Sequence, residues 1–254
     1  MNQHKIALVT GGSRGLGKDM AINLAKKGLN VVLTYNTNKT AAEKVVAEIQ
    51  EMGQAAFALP LDVSDYTQYK PFFDEKLSPV LKEKFNTDKF DFLINNAGVG
   101  VYEPFETTTL DSFKNMVHIH LMASYFITQN ALSHLNDGGG IINISSGLTR
   151  FTLPGYSAYA AMKGAVEVLS RYQAKELGDR RIKVNIVAPG AIETDFGGGA
   201  VRDNQDLNSY IASTTALGRV GLPTDIGPVV AFLCTDDANW INGQRIEVSG
   251  GVNL

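Results

Sequence analysis

Seven short apolar, β-branched runs alternate along this chain with segments of helical period, and that alternation limits the fold more than any other feature. The runs lie at 5–10 (KIALVT), 30–35 (NVVLTY), 55–60 (AAFALP), 90–94 (FDFLI), 140–145 (GIINIS), 182–187 (IKVNIV) and 244–248 (QRIEV). Helical stretches fall near 15–27, 39–52, 65–85, 109–135, 157–178 and 223–234. Alternation of this kind builds parallel βαβ units with helices on both faces of one sheet. Several runs are almost continuously apolar, as strands covered on both faces must be. The expected fold is α/β, a doubly wound, seven-stranded parallel sheet. No linker or low-complexity stretch divides residues 1–254. The longest break in the pattern is 190–215, which holds Gly197, Gly198 and Gly199 and reads as a mobile loop with a short helix.

Composition narrows the function classes. Lys and Arg number 23 against 26 Asp and Glu, a net charge of −3. That weakly acidic balance lacks the basic footprint of a protein that binds nucleic acid or an anionic membrane. No apolar run approaches the ~18 residues that would span a bilayer, and the N-terminus shows no signal-peptide core. Cys234 is the single cysteine, so no intrachain disulfide can form, which suits a reducing compartment. Its apolar neighbours mark it as an inert core thiol. A soluble cytoplasmic protein is expected.

The first run leads into Thr10-Gly11-Gly12-Ser13-Arg14-Gly15-Leu16-Gly17 and then a helix. Glycines at such a turn let the backbone approach a pyrophosphate, and the helix N-terminus offers free N–H groups to the anion. The spacing is G-x-x-x-G-x-G rather than the common G-x-G-x-x-G.

From Ile6 to Gly17 the chain resembles the opening of the short-chain dehydrogenase/reductase family, classical type. The rest of the pattern follows in order: Asp62-Val63, Asn95-Asn96-Ala97-Gly98, Ser146, Tyr159-x-x-x-Lys163, Pro189-Gly190, Leu217 to Pro223, and Ile241-Asn242-Gly243-Gln244. The resemblance covers nearly the whole chain and is strongest to the 3-oxoacyl-[acyl-carrier-protein] reductase-like branch. It implies one Rossmann-type domain over 1–254, with a substrate loop near 195–214.

Tyr-x-x-x-Lys occurs three times, as Tyr35/Lys39, Tyr66/Lys70 and Tyr159/Lys163. Tyr35/Lys39 straddles a strand end, and Tyr66/Lys70 has no nucleophile or oxyanion donor nearby in sequence. Only Tyr159/Lys163 shares one face of a long helix and follows a strand ending in Ser145-Ser146, where ligands of open α/β sheets sit. Carbonyl reduction needs a proton on oxygen. Tyrosine can give it, and a close lysine should lower the phenol from its usual pKa of about 10. Ser146 can donate to the substrate oxygen. The resemblance implies Ser146 rather than Ser145, because Ser146 stands thirteen residues before Tyr159. Ser145 is expected to point the other way. Lys163 would also hold the nicotinamide ribose.

NAD-preferring members place an acidic residue after the second strand. Here Tyr35-Asn36-Thr37 has none. Arg14 offers a guanidinium suited to a 2′-phosphate, and Asn36, Thr37 and Lys39 could add donors, so NADP(H) is expected over NAD(H). The resemblance further implies that Asp62 and Val63 meet the adenine. It puts Asn96, Ala97 and Gly98 beside the adenosine ribose, with Asn95 bracing the sheet. Pro189, Gly190, Ile192 and Thr194 would hold the nicotinamide. Gly11, Ser13, Gly15, Leu16 and Gly17 complete the cofactor set with Tyr159 and Lys163.

His120 departs from the family, whose members usually carry an asparagine there. His118 and His120 are two apart on a predicted helix and should not chelate a metal. In the family the backbone carbonyl at this position holds a proton-relay water. Two readings stay open: only the backbone matters, or the imidazole, with a reference pKa of about 6.5, joins the relay and gives kcat a limb near that value.

These features favour an NADPH-dependent reductase of a small-molecule carbonyl, including the 3-oxoacyl-thioester possibility. The alternatives are an NAD(P)-dependent dehydrogenase of a sugar, polyol or secondary alcohol, and a non-catalytic cofactor sensor on the same fold. The loop Asp195–Thr214 mixes Phe196, Val201, Leu207, Tyr210 and Ile211, which suit either a hydrophobic carbonyl compound or the packing of a short helix, with Arg202, which reads as a solvated charge before a partner for an acidic group. A homo-oligomer, by resemblance a tetramer, is expected, because strand 244–248 near the C-terminus would otherwise leave an open sheet edge.

Overall fold

The computed structural model describes residues 5–254; residues 1–4, the start of the expected domain range, lie outside the described residues. Seven parallel strands form one sheet: β1 (Ile6–Val9), β2 (Asn30–Tyr35), β3 (Ala56–Pro60), β4 (Phe90–Asn95), β5 (Leu135–Ile144), β6 (Lys183–Pro189) and β7 (Arg245–Val248). Their order is β3-β2-β1-β4-β5-β6-β7. The chain winds outward from β1 in one direction, then returns and winds outward from β4 in the other. The junction of β1 and β4 is therefore the switch point, where a crevice opens beyond the carboxyl ends of the strands.

Strand side chains alternate between two cores. Ala7, Val9, Val31 and Leu33 face helix α1 (Gly15–Lys26), helix α2 (Lys39–Glu51) and the helix Pro223–Leu233. Ile6, Leu8, Val32 and Leu93 face the opposite layer of helices, at 66–85, 110–131 and 157–176. This is the period of two that pleated strands impose. Cys234 is buried in the first core, and burial pushes its thiol up.

Two helices carry π turns, Phe72–Leu77 and Val117–Met122. Such turns concentrate at functional sites, and the second contains His118 and His120. β5 begins five residues earlier than the run at 140 suggested. The pairing of β4 with β5 shifts register between Phe90 and Phe92. Gly138 takes a φ of 77°, and a Cβ at Gly139 would lie 2.2 Å from the Asp91 carbonyl oxygen. Gly138 and Gly139 thus form an irregularity within the strand.

The stretch 190–215 is more helical than expected. It contains a 3-10 turn at Phe196–Gly199 and helices at Ala200–Asp203 and Gln205–Ser213. Asn204 caps the last of these, its side chain accepting from the Leu207 amide at 3.0 Å.

Candidate active site

Most segments singled out in the sequence leave the carboxyl ends of strands, whereas Ile241–Gln244 enters β7 at its amino end, where Asn242 Oδ1 accepts from the Val184 amide at 2.9 Å. After β1 the chain turns through Gly11 and Gly15, at φ of 66° and 53°, into α1. Gly17 is required by contact: a Cβ there would lie 2.2 Å from the Gly11 carbonyl oxygen and 2.5 Å from Asn96 Nδ2. Arg14 is the N-cap of α1 and places no side-chain cap on the first-turn amides. They keep the anion-facing arrangement that a helix N-terminus offers. Arg14 itself is exposed, Ser13 and Leu16 are half-buried, and Leu16 packs against the first core.

The segment after β4 locks onto this turn. Asn96 Nδ2 donates to the carbonyls of Thr10 (2.9 Å) and Gly11 (3.2 Å), and the Asn96 and Ala97 amides donate to Thr10 Oγ1. The Asn96 side chain therefore shapes the glycine turn. Asn95 braces the sheet as expected, with Nδ2 donating to Thr128 Oγ1 at 3.0 Å and Asn143 Oδ1 at 2.8 Å. From the end of β6, Pro189-Gly190 leads to an Ile192–Gly221 bridge. Thr194 is buried against the glycine turn, with its Cβ 3.6 Å from where a Gly15 Cβ would stand.

At the ends of β2 and β3, Asn36 is exposed and Lys39 pairs with Glu43 one turn on, so Lys39 already has a partner as a donor. Asp62 Oδ1 accepts from the Ser64 amide and hydroxyl at 2.8 and 2.7 Å. Val63 is partly buried on the second core.

Tyr159 and Lys163 are both buried on the helix Ser157–Glu176. Their surroundings correct one expectation. Burial pushes the Tyr159 phenol up to about 12, and the Ser146 hydroxyl pulls it back only in part. Lys163 does not bring it toward neutrality. Its Nζ donates to the Ile144 carbonyl at 2.7 Å and stands 5.7 Å over the Tyr159 ring centre, and burial draws it down to about 8. At pH 7 the phenol is protonated and the lysine charged. The other two Tyr-x-x-x-Lys pairs are not sites: Tyr35 belongs to the core, Tyr66 is exposed, and Lys70 pairs with Asp74.

Ser146 is held by residues the sequence reading missed. Ser145 does point away, its Oγ donating to Glu167 Oε1 at 2.6 Å. The same oxygen accepts from Thr149 Oγ1 and Arg245 Nε, each at 2.7 Å. Arg245 also reaches the Ser146 carbonyl at 3.3 Å and pairs with Glu247 at 2.8 Å. This network straps the turn that carries Ser146 to β7. Glu167 stands four residues after Lys163, so helical spacing alone placed it on the same face.

His120 is 1% exposed. Its Nε2 donates to the Val99 carbonyl at 2.9 Å, which leaves Nδ1 as a lone-pair acceptor without a hydrogen-bond partner among the described residues. The ring stands edge-on to Tyr159, 5.1 Å between centres. Burial, and then the nearby Lys163 charge, draw its pKa down to about 3. Of the two open readings this favours the one in which only the backbone matters, since an imidazole so placed stays neutral through the working range. Wild-type and His120→Asn profiles of kcat between pH 5 and 9 are expected to share one shape. The unfolded chain takes up a proton below about 6.5 that the folded protein refuses down to about 3. Wild-type stability should fall as pH drops through that window, and His120→Asn should fall less in thermal melts. A wild-type limb near 6.5 absent from the variant would restore proton transfer by the imidazole.

Residues 11–253 match the family profile described as enoyl-(acyl carrier protein) reductase. The hydroxynaphthalene reductase-like protein Arp2 of Metarhizium brunneum is 36% identical over 258 residues, covering 97% of this chain and 94% of the relative. The short chain dehydrogenase/reductase AacuN of Aspergillus aculeatus is 35% identical, covering 97% and 95%. Among solved structures, the angucycline C-6 ketoreductase LanV with bound NADP superposes with a TM-score of 0.94 at 38% identity, covering 100% of this chain and 97% of that one.

Proposed function

The chain belongs to the short-chain dehydrogenase/reductase family, and from that premise we propose that it reduces a ketone to a secondary alcohol with NADPH, Tyr159 giving the proton. The observation that carries this reading is the buried pair of a protonated phenol and a charged lysine beside Ser146, at the end of the sheet that also holds the glycine turn. A phenol that keeps its proton at neutral pH is prepared to donate, as reduction requires; alcohol oxidation needs the phenolate. LanV is named a ketoreductase and binds NADP, and Arp2 is named reductase-like, which supports the same direction.

The residues present fit a dinucleotide. The uncapped N-terminus of α1 and the glycines before it suit a pyrophosphate, and exposed Arg14 suits a 2′-phosphate. When bound, the nicotinamide supplies a hydride to the carbonyl carbon. Tyr159 passes its proton to the oxygen as negative charge grows there. Ser146 donates a hydrogen bond to the same oxygen, held in place by Arg245, Thr149 and Glu167. The Lys163 ammonium favours the phenolate left behind. Thr194, buried against Gly15, would help hold the nicotinamide, as the resemblance implies.

The family profile's acyl-carrier description keeps a 3-oxoacyl thioester as a second substrate reading. Loss of NADPH absorbance with a panel of ring ketones, open-chain ketones and an acetoacetyl thioester tests the proposal. Turnover with NADPH above that with NADH is expected. Tight NADPH binding with no turnover of any ketone would make the chain a cofactor sensor instead.

A further inference from the structure

We propose, resting on the ketone-reductase reading, that Tyr102, Tyr156 and Phe196 form an aromatic slot beside Tyr159 that selects flat, ring-borne ketones over flexible acyl chains. Phe196 is its specificity-determining wall.

Two aromatic pairs lie at this end of the sheet. Phe196 lies beside Tyr159, ring centres 5.6 Å apart and planes tilted by 60°. It can stand there because residue 100 is glycine: a Cβ on Gly100 would come within 2.4 Å of the Phe196 ring. Opposite in chain order, Tyr102 meets Tyr156 edge-on at 5.7 Å. It too rests on a glycine, since a Cβ on Gly155 would come within 2.2 Å of the Tyr102 ring. Tyr156 packs with Tyr159 in one small apolar cluster. Both are thus aromatic rings laid on glycine backbone, and both are exposed: Phe196 is 44% exposed and Tyr102 63%.

Exposed aromatic rings next to the proton donor favour a ligand that is itself a flat ring. Each ring contact of that kind favours binding by about 2- to 10-fold beyond area burial. A fused ring has no rotors to order, whereas an acyl chain must freeze several. The arginine of the substrate loop points the same way. Arg202 pairs with Asp195 and with Asp203, the latter at 2.7 Å, so it is already matched within the loop rather than waiting for an acidic group.

The test compares kcat/KM for 2-tetralone and for the N-acetylcysteamine thioester of acetoacetate, with NADPH, in wild type, Phe196→Leu and Tyr102→Leu. The wild type is expected to prefer tetralone by about 10-fold or more, the product of the ring contacts. Each leucine variant should lower the tetralone-to-thioester ratio by about 2- to 10-fold, mostly through KM. Phe196→Tyr and Tyr102→Phe should restore the ratio, which separates ring stacking from a general loss of order. Both sites are exposed, so the variants should fold. A thioester used as well as or better than tetralone, or a ratio unmoved by the leucine variants, overturns the slot and leaves the reductase reading standing. Turnover of neither probe overturns both.

Discussion

Tyr159→Phe is expected to cut turnover of any ketone the wild type accepts by at least about 10²–10⁴-fold, the usual contribution of a positioned proton donor. The substitution removes one oxygen and keeps the ring. Packing against His120 and Phe196 survives, and so does the ring face toward Lys163. The lost oxygen is buried, so the phenol resists ionising to about 12 and carries a proton at every pH an assay would use. Lys163 does not take the place of the phenol oxygen: its Nζ donates to the Ile144 carbonyl and stands over the Tyr159 ring. Melting temperature and NADPH affinity should stay close to wild type, because the glycine turn is built from Thr10, Gly11 and Asn96, away from the phenol. Near wild-type kcat in this variant would end the proposed mechanism.

Arg14→Ala should weaken NADPH by about 10- to 150-fold, equivalent to losing one charge-assisted hydrogen bond of roughly 1.5–3 kcal/mol, and should leave NADH almost unchanged. Arg14 sits where the extended N-cap of α1 meets the glycine turn. The end of β2 carries no carboxylate to bind a ribose hydroxyl or repel a phosphate. Asn36 is exposed but uncharged, and Lys39 is paired with Glu43. That leaves the guanidinium as the cation of this corner. Fluorescence titration with both dinucleotides reads the effect directly. Equal losses for NADPH and NADH would mean that Arg14 only shapes the loop.

The strands and the order of motifs were legible because they are local. β1 through β4 lie within one residue of the runs read from sequence, since apolar alternation and helical period are written into neighbouring side chains. The three Tyr-x-x-x-Lys pairs could be sorted by the elements they fall on, and the structure leaves Tyr35 in the core and Tyr66 at the surface. Ser145 facing away from Ser146 was readable from strand alternation.

What the tertiary structure alone decided is charge and fine position. His120 carries the same imidazole in any context, yet deep burial and the charge of Lys163, against the pull of the Val99 carbonyl, keep it neutral where the sequence allowed titration. The Tyr159 phenol was expected to drop toward neutrality and instead rises, because desolvation outweighs the Ser146 hydroxyl and Lys163 bonds elsewhere. Arg245 reaches across ninety-nine residues to hold the Ser146 carbonyl. Phe196 stands by Tyr159 only because Gly100, distant in sequence, leaves room. Periodicity depends on neighbours along the chain. A pKa or a side-chain wall depends on whatever folding brings within a few ångströms, and no local pattern records that.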